Sequence, residues 1–243
     1  MNSNPESKPQ LEVSLSPALL PLCNVKESIV VIIDVLRATS TIATVFYNGA
    51  SAVIPVATIK ECLAAGEKYN ALTAGERDGR VAPELSHGNS PFEYPEEFIK
   101  GQTLVLTTTN GTRLLQKVKN AKAVITGSFP NLTAVCTYLI QQSHPVILAC
   151  AGWKDKVNIE DMLFAGAVTN RIKERFEVNC DSAFIAENLY SQHQNDLMPL
   201  VEKTSHYRRL ERLGLLNDIQ YCFTADIAPS LPILRGARLE NDL

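Results

Sequence analysis

The chain has 243 residues, 45% of them hydrophobic, and its 23 Lys and Arg against 26 Asp and Glu leave a formal charge of −3. That length fits one large domain or two small ones with a substantial core, and the near-neutral balance gives no electrostatic reason for a nucleic-acid or membrane-surface partner. No apolar run approaches the roughly 20 residues needed to span a bilayer.

Residues 1–10 are polar, lack the apolar stretch of a secretion signal, and read as a flexible lead-in to a single domain over 11–243. Six cysteines are scattered without a Cys-x-x-Cys pair, which disfavours a zinc knot and suits reduced thiols in a cytoplasmic protein. Cys62 and Cys136 fall on apolar stripes of predicted helices, whereas Cys150 and Cys222 stand near polar clusters.

Val30–Ile33 is a β-branched apolar run, the mark of a buried parallel strand, and a helix follows it to a stop at Asn48-Gly49. Strand 52–56, a helix over 58–69 and a short strand over 72–74 come next. From Asp78 to Lys100 the chain reads as a long loop, a candidate lid. The pattern then restarts with a strand at 103–106, a helix around 114–118 and a strand at 123–126, as if residues 30–56 and 103–126 were two related βαβ units. A helix over 131–142, a strand at 146–149 and a helix from 159 to about 175 follow. The remainder reads as helices, with 219–223 as a last strand. Strands alternating with helices predict an α/β fold, a three-layer α/β/α sandwich on a largely parallel or mixed sheet.

Three strands end in small, acidic or hydroxyl residues: Asp34 to Thr41, Thr107 to Thr112, and Cys150 to Gly152 ahead of Asn158-Ile159-Glu160-Asp161. In an open α/β sheet the crevice beyond the carboxyl strand ends takes the ligand, and all three bursts are expected on that one edge. Asp34 can ligate Mg²⁺, act as a nucleophile or cap a helix. Arg37 suits a bidentate anion, or a bare pairing with Asp34. Thr39, Ser40 and Thr41 can cap the helix and donate to an anion at its positive end. Gly75-Glu76-Arg77 again places an acid beside an arginine at a strand end, and Gly88-Asn89-Ser90-Pro91 is a turn with amide and hydroxyl groups to offer. Thr107, Thr108, Thr109, Asn110, Gly111 and Thr112 can form a backbone nest for phosphate oxygens.

Glu160 and Asp161 suit a helix N-terminus, but they repel an anion unless a cation lies between them. That tension favours a metal bridging Asp34, Glu160 or Asp161 to the substrate, with Asp226 a further candidate ligand. His87, His144, His193 and His206 show no paired zinc spacing; His144 reads as a solvated loop residue, and His87 and His206 read as surface residues with an acid or substrate-contact role as the alternative. There is no Asp-x-Asp nucleophile, Walker loop or Cys-x5-Arg loop, which favours water over a phospho-enzyme. The absence of Gly-x-Gly-x-x-Gly after Ile33 disfavours a dinucleotide oxidoreductase.

With these segments in order, the chain resembles the 2-phosphosulfolactate phosphatase family. The resemblance rests on Asp34 to Thr41, Gly75-Glu76-Arg77, Gly88 to Pro91, Thr107 to Thr112, Cys150 to Gly152 and Glu160-Asp161, and covers roughly residues 28–235. It implies an α/β/α sandwich and a Mg²⁺-dependent enzyme of the coenzyme M pathway that converts (2R)-2-phospho-3-sulfolactate to 3-sulfolactate and phosphate. One departure is Leu85-Ser86-His87, where the family pattern often carries an aspartate before Gly-Asn-Ser-Pro; substrate preference could differ accordingly.

Residues and resemblance together put Asp34, Arg37 and Glu76 in catalysis. Arg77, Asn89, Ser90, the Thr107–Thr112 turn, Cys150 and Gly152 would contact substrate, and Asp34, Glu160 and Asp161 would hold Mg²⁺. The expected partner is a small anionic phosphorylated substrate, with a homodimer left open. The competing reading is a non-catalytic protein that binds a phosphorylated metabolite.

Overall fold

The computed structural model describes residues 8–108, 114–115 and 117–243. Strand β1 is Leu11–Ser14, and β2, Ile29–Ile33, is the expected apolar run, buried throughout. Alternate side chains of β2 feed two separate clusters. Ile29, Val31 and Ile33 pack with Phe164 and Val168, while Val30 and Ile32 pack with Leu114 and Val118. A strand covered on both faces needs no polar alternation, and that is why its sequence shows none.

Helix α1, Ala38–Tyr47, is buried from Ala38 to Phe46. Strand β3 (Ala52–Val56) leads to α2 (Ile59–Tyr69), which opens on a capping box between Thr58 and Glu61. Strand β4, Leu72–Arg77, runs on through Gly75-Glu76-Arg77 and turns back at once into β5, Arg80–Val81. The segment expected as a loop therefore carries structure: β5, a 3₁₀ turn at Pro91–Glu93, and helix α3, Glu96–Ile99. It is tied down by Gly75 N–H on His87 O (3.0 Å), Ala82 N–H on Gly75 O (3.0 Å) and the Tyr94 hydroxyl on Gly88 O (2.7 Å).

Strands β6 (Thr103–Thr107) and β7 (Ala123–Gly127) come next, then α4 (Leu132–Ile140) and β8 (Val146–Cys150). Helices α5 (Ile159–Ile172), α6 (Asp181–His193), α7 (Met198–Val201), α8 (Ser205–Arg212) and α9 (Leu216–Cys222) follow. The chain closes on the hairpin β9 (Pro232–Arg235) and β10 (Arg238–Asn241). The expected strand at 219–223 is thus a helix. Asp218, Ile219 and Cys222 are its buried positions, a helical spacing that a five-residue apolar run could not reveal.

The ten-stranded sheet has the order β1-β8-β2-β7-β9-β10-β3-β6-β4-β5. Strands β1, β8, β2 and β7 form one parallel set, and β3, β6 and β4 another. The β9–β10 hairpin joins them, antiparallel to both. The α/β expectation holds, with helices on the sheet and both faces of β2 covered. Two finer expectations fail. The two proposed βαβ units do not place their own strands side by side, because β2 pairs with β7 and β3 with β6. Nor do the three bursts share one edge of a single parallel set, because β6 belongs to the opposite-running set from β2 and β8. Twist of roughly 20–25° per neighbour accumulates along the order. The carboxyl ends of β2 and β4, from different sets, line one pocket.

Candidate active site

Asp34 leaves the end of β2 with 8% of its surface exposed. Its N–H donates to Thr39 Oγ1 (3.1 Å), and Thr39 N–H returns a bond to Asp34 O (2.9 Å). The Ser40 hydroxyl donates to Val35 O (2.8 Å) and that of Thr41 to Asn89 O (2.9 Å). These three hydroxyls therefore brace the turn and dock the 88–91 segment. Their partners are protein groups.

Arg37 does not pair with Asp34. Its guanidinium bonds Asp218 of α9 and donates to Gly79 O (3.1 Å), with both charged side chains nearly buried. Glu76, at the end of β4, accepts from Gly79 N–H (2.9 Å) and lines the same pocket. Arg77 turns away, donating to Glu76 O (2.7 Å) and Thr107 Oγ1 (3.2 Å). Thr107 and Thr108 are buried, and Thr108 borders an internal void beside Ile32 and Leu106. Thr109, Asn110, Gly111 and Thr112 lie outside the described residues.

Asp161 is buried, and each of its oxygens accepts a backbone amide: Oδ1 from Val35 (2.9 Å), Oδ2 from Gly152 (3.0 Å). It locks the carboxyl ends of β2 and β8 together. Its own helix start is capped as expected, by Asn158 Oδ1 accepting from Asp161 N–H (3.3 Å). Gly152 has φ +57°, and a Cβ there would lie 2.3 Å from Lys156 O. Cys150 is buried, and burial, then Asp161 and Glu160, push its thiol well above its ordinary value, which disfavours the thiolate. Ser90 Oγ accepts from Phe92 N–H (3.3 Å) and starts the Pro91–Glu93 turn.

The pocket is completed by Trp153 and Arg209, which sequence reasoning missed, and by His206, for which it favoured a surface position over an acid or substrate contact. Asp34, Arg37, Glu76 and Asn89 share it with Trp153, His206 and Arg209. His206, read as a surface histidine, is instead held by Glu160 through Nδ1, with its ring 5.9 Å from that of Trp153. The Arg209 guanidinium stacks 3.5 Å from the Trp153 ring centroid. The usable signal was the three-residue spacing of His206 and Arg209, which puts both on one face of a helix. Of the other histidines, His87 packs against Phe98 and Tyr94 outside the pocket, and His144 is exposed. Asp226 is not in the site. It caps α4 by accepting from Thr133 N–H (2.6 Å) and the Thr133 hydroxyl (2.7 Å).

Electrostatically the pocket is a strained acid cluster. Burial, then Asp161 and Glu76, push the Asp34 carboxyl well above the usual carboxylate range, and His206 works against them. Burial and Glu160 likewise raise Asp161, against its amide donors. Burial lowers the Arg209 pKa, while Glu76, Asp78, Glu160 and Asp34 favour its charge. Among the described residues, two buried polar atoms here have no hydrogen-bond partner, Asn89 Oδ1 and Arg209 Nε. The cavity is about 20 Å³, room for about one water molecule. Among the described residues no three His, Cys, Asp or Glu side chains form a ready metal cluster.

Buried carboxylates at the ends of β2 and β4, with an oriented imidazole and a guanidinium from α8, make a polar site on an α/β fold that suits a small charged ligand. A family model described as 2-phosphosulpholactate phosphatase matches residues 14–237. A Thermotoga maritima protein named "Probable 2-phosphosulfolactate phosphatase" is 44% identical over 84% of this chain and 88% of its own. Proteins of the same name from Caldanaerobacter subterraneus (38% identical, 88% and 90% covered) and Nostoc sp. (36%, 94% and 97%) are similar over comparable spans. The chain belongs to the 2-phosphosulfolactate phosphatase family and is a phosphoric monoester hydrolase. Among the described residues no helix is long and apolar enough to cross a membrane.

Proposed function

We propose that this chain hydrolyses 2-phosphosulfolactate, the (2R)-2-phospho-3-sulfolactate of coenzyme M biosynthesis or a closely similar phosphorylated hydroxy acid, with Mg²⁺ as cofactor. The observation that carries this reading is the pocket where β2 and β4 end. There Asp34 and Glu76 meet Arg209, and a buried acceptor, Asn89 Oδ1, has no donor among the described residues.

An unsatisfied buried acceptor costs about 1–3 kcal/mol. A hard cation, which takes carboxylate and amide oxygens as ligands, would satisfy Asn89 and relieve the acid cluster together. The residues thus fit Mg²⁺: Asp34, Glu76 and Asn89 Oδ1 would hold it, with Glu160 and Asp161 adding negative charge behind them. Mg²⁺ usually keeps several waters and takes one or two carboxylates plus substrate phosphate, so a tight three-carboxylate cage is not required. Bound there, it would supply charge neutralisation for the phosphoryl group and a more acidic water.

The chain's own residues do the rest. Arg209, with an unspent Nε–H, would donate to a phosphoryl oxygen, and Trp153 holds the plane of its guanidinium. Glu160 fixes the His206 ring through Nδ1, leaving Nε2 to carry a proton for the leaving oxygen. Arg37 is committed to Asp218, so its part is to hold α9 against the turn after β2. The cavity is too small for a phosphoryl group as it stands, so substrate entry requires it to widen.

Release of inorganic phosphate from 2-phosphosulfolactate and a panel of phosphorylated hydroxy acids tests the reading. Turnover that needs Mg²⁺ and stops with EDTA is the expected result. No release from any phospho-acid overturns it.

A further inference from the structure

We infer that the open cleft beside the acidic pocket, armed by Arg80 and Arg212, is the subsite for the substrate's second acid, a sulfonate or carboxylate. The inference rests on the phosphatase reading above and names the part of the site that selects the substrate.

The pocket and the cleft are neighbouring chambers. The pocket is about 20 Å³ and the cleft about 530 Å³, and Arg37, Gly79 and Asn89 line both. A small-molecule site is typically several hundred Å³, so only the cleft has room for the body of a substrate. Its charge has a definite sign. Glu93 spends both oxygens on the 88–90 turn, accepting from Gly88 N–H (2.6 Å) and Ser90 N–H (3.2 Å). Arg37 is neutralised by Asp218. Arg80 and Arg212 are exposed, and among the described residues neither has a hydrogen-bond or ion-pair partner. Glu93 keeps its negative charge but has both oxygens turned to the backbone, so the lining carries one net positive charge and its free donors are two guanidinium groups.

Two elements aim both chambers at one ligand. The tight β4–β5 turn carries Glu76 into the pocket and Arg80 into the cleft, with Arg77 opposite Arg80 in the hairpin. Helix α8 carries Arg209 into the pocket and Arg212, one turn on, into the cleft. A ligand with its phosphoryl group at Asp34 and Arg209 would extend past Asn89 toward Arg80 and Arg212. Guanidinium forks match the oxygens of a sulfonate or carboxylate, and both acids stay ionised at neutral pH.

Kinetics on two esters test this: 2-phosphosulfolactate, and isopropyl phosphate, which has no second acid. In Arg80→Ala or Arg212→Ala the ratio of kcat/KM for the first ester over the second should fall about tenfold. In the double variant it should fall about a hundredfold, carried by KM, with partial recovery when lysine is used instead. An unchanged ratio in the double variant overturns the inference, as does an equal loss on both esters. Titration calorimetry with 3-sulfolactate reads the cleft without turnover. Binding to wild type that the double variant loses supports the subsite even if no ester is hydrolysed, an outcome that would sink the phosphatase reading alone. Equal affinity in the two proteins, or no binding to wild type at millimolar ligand, overturns the subsite.

Discussion

Arg37 and Asp218 form a buried ion pair that ties the turn after β2 to α9, with only 6% of each side chain exposed. Removing one partner strands the other charge, so Asp218→Ala should destabilise the fold by about 3–5 kcal/mol in a urea titration. Loss below about 1 kcal/mol would show that the pair is not holding α9. Asp34 has the opposite problem, a carboxyl whose ionisation burial and its acidic neighbours oppose. Asp34→Asn should nearly abolish phosphate release while leaving the circular dichroism spectrum unchanged; retained activity removes Asp34 from the chemistry. The raised pKa values of Asp34 and Asp161 also set a sign. Between about pH 4 and their raised values the fold binds more protons than the unfolded chain, so stability falls as pH rises through that window. Metal-free protein should therefore melt lower at pH 8 than at pH 5.5, and Asp34→Asn should flatten the difference. A wild-type Tm that climbs over that range contradicts the buried-acid assignment.

At the scale of elements, α5 and α6 pack closely because Gly166 lets the backbones approach. A Cβ there would lie 2.0 Å from Ala186 O. Gly166→Ala should cost about 1–3 kcal/mol, seen as a Tm drop of roughly 2–4 °C per kcal/mol in a chain of this size. An unchanged Tm would mean that α6 slides freely. The start of α4 depends on Asp226, a residue far away in sequence that acts as its cap. Helix α8 shows how an element becomes functional. Leu210 packs into the core while His206, Arg209 and Arg212 face the pocket and cleft, so one helix face serves both charge chambers.

For the whole molecule, the decisive feature is a mixed sheet of two parallel sets joined by the β9–β10 hairpin. It lets strand ends from opposite halves, Asp34 and Glu76, face one cavity. The sheet and its helices also enclose four thiols, Cys62, Cys136, Cys150 and Cys222. Burial pushes Cys136 and Cys222 up to about 12. Native protein at pH 8 should therefore expose none of the four to a thiol reagent over minutes, whereas denatured protein should expose all; rapid native labelling of Cys222 would show that α9 opens.

Much of this was legible in the sequence because it is local. The run Val30 to Ile33 is a strand in any context that covers both faces, Thr58 with Glu61 caps α2 within four residues, and Asn158 caps α5. The residue types at Asp34, Glu76 and Asn89 marked strand ends and turns fit for an anion and a cation. Tertiary structure alone decided the rest. It turned the apolar piece at 219–223 into a helix by giving Ile219 and Cys222 a core to face. It assigned Arg37 to Asp218 and His206 to Glu160, partners 181 and 46 positions away. Pairings of that range carry no periodic signal, because they depend on where whole elements dock rather than on which residues are neighbours in the chain.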